Sequence, residues 1–229
     1  MHDRPDRRYV LLSFDVEPVD GEEDVMGVLD VVYRHELNVT FFVTGEYTER
    51  YPGVVRMMAG QEVANHGYSH TAFVKLSREE KVSEIRQTRM LLENVTGKDV
   101  VGFRAPYNLV DKETFRVLEE EGVLYDASII GGWGLFYPSL SGFSFGEIPV
   151  SSIFAVPFED VSWVHYLRMP GLYFYLMKHK EGELESYLFH PHHIMQYKNE
   201  FEEFINYLKD SNVIFISHSQ LIKWQDEGV

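Results

Sequence analysis

The sequence has no cysteine at all. That removes a thiol nucleophile, thiolate metal sites and disulfides, and leaves the redox compartment open. Positive charge is also scarce: 21 Lys and Arg against 36 Asp and Glu in 229 residues give a formal net charge of −15. A surface that acidic argues against nucleic acid, anionic membranes and polyanionic substrates, and favours a neutral or cationic ligand. No apolar run approaches the roughly 18 residues of a membrane span. The start, Met1-His2-Asp3-Arg4-Pro5-Asp6-Arg7-Arg8, lacks the apolar stretch of a signal peptide, so a cytoplasmic chain is expected. Repeats and low-complexity tracts are missing too. With 45% hydrophobic residues and no break in composition, residues 1–229 read as one domain with one large core.

What is present alternates. Tyr9 to Phe14 is a short apolar, β-rich run, read as a buried strand. Helical spacing follows from Asp24 to Leu37, then a strand at Val39 to Val43 closed by Thr44-Gly45. A helix is expected around Tyr51 to Ala59 with Pro52 near its start, and a strand at Gln61 to Ala64. Ser77-Arg78-Glu79-Glu80 has the form of a capping box for a helix running to about Val95, with Gly97 as its stop. Further strands are expected at Val100 to Phe103, Val123 to Tyr125, Glu147 to Val150, Ser186 to Phe189 and Val213 to Ile216. Helices are expected at Asp111 to Gly122, at Trp163 to Lys180 with an interruption at Pro170-Gly171, and at Glu200 to Lys209. Strands with helices between them point to a parallel sheet or barrel.

Polar residues capable of chemistry cluster after the strands. Asp15 and Glu17 follow the first strand, where i and i+2 side chains share a face; a solvated turn would use the same residues. His66 and His70 lie in Asn65-His66-Gly67-Tyr68-Ser69-His70 and can turn both imidazoles to one point, as two metal ligands must. With ten histidines in the chain, one such spacing is unremarkable by itself. Arg104-Ala105-Pro106-Tyr107 follows the fourth strand, where the arginine either balances surface acids or fixes a catalytic one. Asp126 ends another strand, and His190-Pro191-His192-His193 ends a later one. The long stretch Ile129 to Phe145 has the length of a binding loop, and its Trp133, Phe136 and Tyr137 could stack on sugar faces or pack on the barrel. His2, His35, His165 and His179 show no company of this kind and read as surface or core histidines.

In this order these residues resemble the polysaccharide deacetylases, the NodB-homology family of carbohydrate esterases. The family's first motif, usually Thr-Phe-Asp-Asp-Gly, stands here as Ser13-Phe14-Asp15-Val16-Glu17. The His-x-x-x-His motif is His66 to His70, the Arg-x-Pro-Tyr motif Arg104 to Tyr107, the Asp-centred motif Asp126-Ala127-Ser128, and Leu-x-His is Leu188-Phe189-His190. Each motif is short, but five in order, each at a strand end, are a specific signal. The resemblance implies an α/β fold, a distorted (β/α) barrel with seven or eight strands, and a polysaccharide-deacetylase-like catalytic domain over 1–229.

It also implies roles. Asp15 would be the general base, Arg104 would hold it in its charged form, Asp126 would orient Arg104, and His190 would be the general acid. His66 and His70 would bind a divalent metal, with Zn²⁺ the best fit. The Tyr107 N–H would hold the oxyanion, and Pro106, Trp133 and Leu188 would contact substrate. One departure stands out: Val16 occupies the place of the family's second aspartate, a metal ligand, and Glu17 is the nearest substitute. The expected reaction is metal-dependent hydrolysis of the amide of an N-acetylated sugar. Its rivals are a metal-free amidohydrolase acting on a small cyclic amide or ureide, and a barrel that binds glycans without turnover.

Overall fold

The computed structural model describes residues 8–131, 140–153, 156–180 and 182–227. Its centre is β1 (Arg8–Val16), whose apolar run leaves every residue from Val10 onward buried. Such a strand must be covered on both faces and paired on both edges. Along one edge it runs parallel to β9 (Leu184–Phe189). Along the other it pairs first with β10 (Val213–Phe215) and then with β2 (Thr40–Val43), again parallel. The sheet continues through β3 (Glu62–Asn65), β4 (Gly102–Phe103), β5 (Tyr125–Asp126) and β6 (Gly146–Glu147). Eight parallel strands thus curl into a barrel.

The closure is irregular. Among the described residues no ladder joins β6 to β9; the gap is bridged by Ser151 N–H to Ser186 O (2.9 Å) and Leu188 N–H to Phe158 O (3.1 Å). A short antiparallel pair, β7 (Ser152–Ile153) and β8 (Val156–Pro157), interrupts the parallel pattern at this place. This is the distortion in the distorted barrel.

Helices cover the outside. α1 (Glu22–Arg34) buries Val25, Val28, Leu29 and Val32, the i, i+3, i+4, i+7 stripe of a helix facing a core. α4 (Arg78–Thr96) begins at Ser77, whose side chain accepts from Glu80 N–H, and ends at Gly97 with φ 69, the left-handed stop that glycine supplies. α5 (Lys112–Glu120), α6 (Pro170–His179), α8 (Lys198–Asp210) and α9 (His218–Asp226) complete the outer layer, with α7 (Pro191–Ile194) as a shorter cover. Phe14 packs against Phe41, Phe189 and Phe201 between sheet and helices.

Several local expectations change. The helix expected at Tyr51 to Ala59 is present as α3 (Pro52–Met57), with Pro52 in its first turn and a 3₁₀ turn at Met58–Gly60 after it, and a helix that was not expected, α2 (Gly45–Arg50), precedes it. Thr44-Gly45 closes the strand, as expected, and also opens α2; a Cβ at Gly45 would collide with Tyr68 and Thr88. Pro170 begins α6 at its first turn, where its missing N–H costs nothing. The residues before it, Val161–Tyr166, form a π-helix.

Candidate active site

Alternation along β1 turns Ser13 and Asp15 to the barrel interior and sends Val16 into the helix-facing core. Arg104, just past β4, enters from the side and is wholly buried. Its Nη1 donates to Asp15 Oδ1 (2.8 Å) and Ser13 Oγ (2.9 Å), and its Nε donates to Ala127 O (2.8 Å). The Phe42 ring lies 4.0 Å from the guanidinium carbon. A cation this buried needs a fixed anion, and Asp15 is the one in contact.

Asp126 acts on this arginine through space, Arg104 opposing the rise of its pKa, while its hydrogen bonds go elsewhere. Its Oδ1 accepts from Ser128 Oγ (2.6 Å), which in turn accepts from Ala105 N–H (2.8 Å). Its other neighbour is the Glu147 carboxyl, and burial pushes the pKa of both acids up. Asp126 therefore braces the backbone beside Arg104 through Ser128, and no direct ion pair links it to Arg104 among the described residues.

The histidine loop leaves β3. Glu84, on α4, holds it by accepting from Tyr68 N–H (2.6 Å), Ser69 N–H (2.9 Å) and Ser69 Oγ (2.7 Å). Gly67 (φ 72) and His70 (φ 56) supply the left-handed turns that bring both rings inward. His66 Nδ1 donates to Arg104 O (2.8 Å), since a carbonyl can only accept. That leaves the His66 Nε2 lone pair facing the site, 3.6 Å from Asp15 Oδ2 and without a hydrogen-bond partner among the described residues. Burial brings the His66 pKa down to about 4, so the ring is neutral. His70 Nε2 lies 2.9 Å from Glu17 Oε1.

Ligand-type atoms of Glu17, His66 and His70 all fall within 4.8 Å of one another. Burial alone would raise the Glu17 carboxyl, but hydrogen bonds from His190 and His70 outweigh it and hold it well below the usual range. Two imidazoles with nitrogens turned inward and an ionised carboxylate are a donor set that suits a divalent first-row cation.

On the opposite side, His190 Nδ1 meets Asp160 Oδ1 at 2.6 Å, and the His190 N–H donates to Asp160 Oδ2 at 2.7 Å. Burial opposes a charge on this ring, yet Asp160 and Glu17 prevail and raise its pKa well above the ordinary value. Its Nε2 faces Glu17 Oε1 at 3.4 Å. Asp160, His190 and His193 also bring ligand-type atoms within 4.8 Å of one another, but there the His190 Nδ1 is engaged with Asp160.

Tyr107 sits at φ 61 with its ring 4.6 Å from that of His70. Pro106 and Leu188 are buried, and Trp133, Phe136 and Tyr137 lie outside the described residues, as does His2. His165 has company after all, its ring stacked on His193 at 5.5 Å, and His179 stacks on Tyr175 at 4.2 Å. Asp160 escaped the sequence reading. Its signal was the one that marked Asp15: acids, Glu159-Asp160, directly after a short apolar stretch. Glu84 and Asp20 carried no signal that separates them from surface acids.

A family model described as polysaccharide deacetylase matches residues 2–125, more than half of the chain. A peptidoglycan deacetylase-like protein of Gibberella zeae is 35% identical over 133 residues, covering 57% of this chain and 39% of that relative. The chain therefore spans well under half the length of that relative. The solved structure of the peptidoglycan deacetylase PdaC from Bacillus subtilis superposes with a TM-score of 0.67 at 21% identity, over 97% of this chain and 95% of that one. A CE4 family pseudoenzyme from Bacillus anthracis superposes with a TM-score of 0.72 at 19% identity, over 96% of this chain and 66% of that one. At these identities the two structures speak to the fold.

Proposed function

The chain belongs to the polysaccharide deacetylase family, and on that premise we propose that it hydrolyses the acetamide of an N-acetylated sugar, releasing acetate and leaving a free amine. The single observation that carries this reading is the convergence of three units at the carboxyl ends of parallel strands. These are the Asp15–Arg104 pair, the Glu17–His66–His70 donor set and the Asp160–His190 pair.

Glu17, His66 and His70 would hold a divalent cation, zinc by donor preference. What such an ion supplies when bound is Lewis acidity toward the acyl oxygen and a lowered pKa for water. Asp15, anchored by Arg104, takes the proton of the attacking water as the C–O bond forms. Tyr107, whose ring lies against that of His70, is assigned to the developing oxyanion through its backbone N–H. An amine leaves poorly until protonated, so a proton must arrive as the C–N bond breaks. His190 supplies it from Nε2, because Asp160 keeps the Nδ1 proton engaged. Acetate and the amine are the products.

The acidic surface favours neutral or amine-bearing glycans over polyanions. The test is acetate release from a panel of N-acetylated sugars and oligosaccharides, before and after chelation and zinc addition. Chelator-sensitive, zinc-restored release supports the reading. Release indifferent to chelator would turn it toward metal-free amide hydrolysis, and sugar binding without release toward a binding barrel.

A further inference from the structure

Asp20 lies three residues past Glu17 and takes no part in the chemistry above, yet it is only 1% exposed. A carboxylate so buried must have its oxygens satisfied. Its Oδ2 accepts from Glu17 N–H at 2.6 Å, while its own N–H donates to Glu17 O at 3.0 Å. The two bonds close a tight turn through Pro18 and Val19 that grips Glu17 by both backbone groups. Its Oδ1 accepts from His192 N–H at 3.0 Å and faces His192 Nδ1 at 2.7 Å. His192 is two residues past His190.

One buried carboxylate therefore ties the turn after β1 to α7, the short helix that follows β9. Glu17 needs such a tie. It stands one residue beyond Val16, the last residue of β1 to pair with β2, and its side chain is longer than an aspartate's. Without an anchor, that freedom would have to be lost each time a cation bound. Metal ligation tolerates only about 0.2 Å of error in ligand distance.

We propose that Asp20 is a positioning residue: together with His192 it clamps the Glu17 turn to α7, the helix that His190 caps, and so presents the Glu17 carboxylate to a divalent cation. The proposal rests on Glu17, His66 and His70 being the cation site. It assigns His192 to anchoring, which separates its work from that of His190 although the two stand close in sequence.

The test compares wild type with Asp20→Ala, Asp20→Asn, His192→Ala and the Asp20→Ala/His192→Ala double variant. Two readouts need no substrate: hydrogen exchange at the Glu17 and His192 amides, and zinc affinity by competition with a chromophoric chelator. Asp20→Ala should speed exchange at both amides and weaken zinc binding about 10–100-fold, the usual scale for losing a partner that orients a ligand. Asp20→Asn, which keeps one acceptor oxygen, should fall between. His192→Ala should weaken zinc binding less than Asp20→Ala and add little to it in the double variant, because the two residues act through one clamp. A purely structural role would lower the melting temperature of the folded variants while leaving their zinc affinity unchanged, and that result overturns the proposal. Unchanged protection of the Glu17 amide in Asp20→Ala overturns it as well. Exchange is read without metal, so a wild-type chain that takes up no zinc would refute the proposed function, and the exchange rates would still decide whether the clamp exists.

Discussion

Asp15 and Glu17 differ by two positions and share a face, but their surroundings differ, and the proposed roles follow that difference. Asp15 touches Arg104 and Ser13's partner network; Glu17 touches His70 and His190. Asp15→Asn preserves shape but cannot take a proton, so it should retain zinc and lose about 10²–10⁴-fold in turnover. Glu17→Ala should lose zinc affinity, with activity partly recovered at excess metal. Elemental analysis beside kinetics checks both, and a metal-free Asp15→Asn with a metal-replete Glu17→Ala would reverse the assignment. His190→Ala should also cost about 10²–10⁴-fold. His192→Ala, assayed at saturating zinc, should cost far less; an equal loss would move the acid from one histidine to the other.

At the scale of elements, strand ends and helix faces share the task. Alternation along β1 delivers Asp15 inward and Val16 outward, a consequence of a period of two that any buried strand obeys. The histidine loop, by contrast, depends on a helix that approaches from outside the barrel. Glu84 on α4 makes three hydrogen bonds to Tyr68 and Ser69. Glu84→Ala strands two loop N–H groups and frees the His66–His70 spacing, so zinc affinity should fall about 10–100-fold. Chelator competition on the folded variant is the measurement. The helix itself was legible from Ser77 and Gly97, whereas its inward-bonding acid looked like any of its exposed neighbours.

The whole molecule carries a pH liability at the far end of the barrel. His218 is wholly buried, bonded to Thr40 and stacked on Tyr125. Burial and then Arg104 hold its pKa well below the ordinary value, and burial does the same to His66. Both rings refuse a proton that the unfolded chain accepts below about pH 6.5. Stability from these two is therefore complete above pH 6.5 and falls as pH drops toward their folded values. The slope is about 1.4 kcal/mol per pH unit for each fully refused proton. His190, with a raised pKa, acts in the opposite sense, its contribution present below pH 6.5 and lost as pH rises through its folded value. Calorimetric melting between pH 7 and pH 5 should show a steeper acid decline for wild type than for His218→Gln; equal slopes would clear His218.

Most of what has a local cause is legible in the residues alone. The apolar runs, the capping box at Ser77, the stop at Gly97 and the habit of placing acids and histidines after strands all follow from short-range sterics and alternation. Five strand ends in order were enough to read the barrel and its family. Which charges meet is set by packing between distant parts of the chain. Asp160 pairs with His190 across thirty residues, Asp20 with His192 across most of the chain, and Asp126 turns to Ser128 and Glu147 instead of Arg104. These choices depend on strand register and on burial. In a low-dielectric interior a side chain's partner is whichever polar group packing brings within hydrogen-bond reach, and no spacing in the sequence encodes that distance.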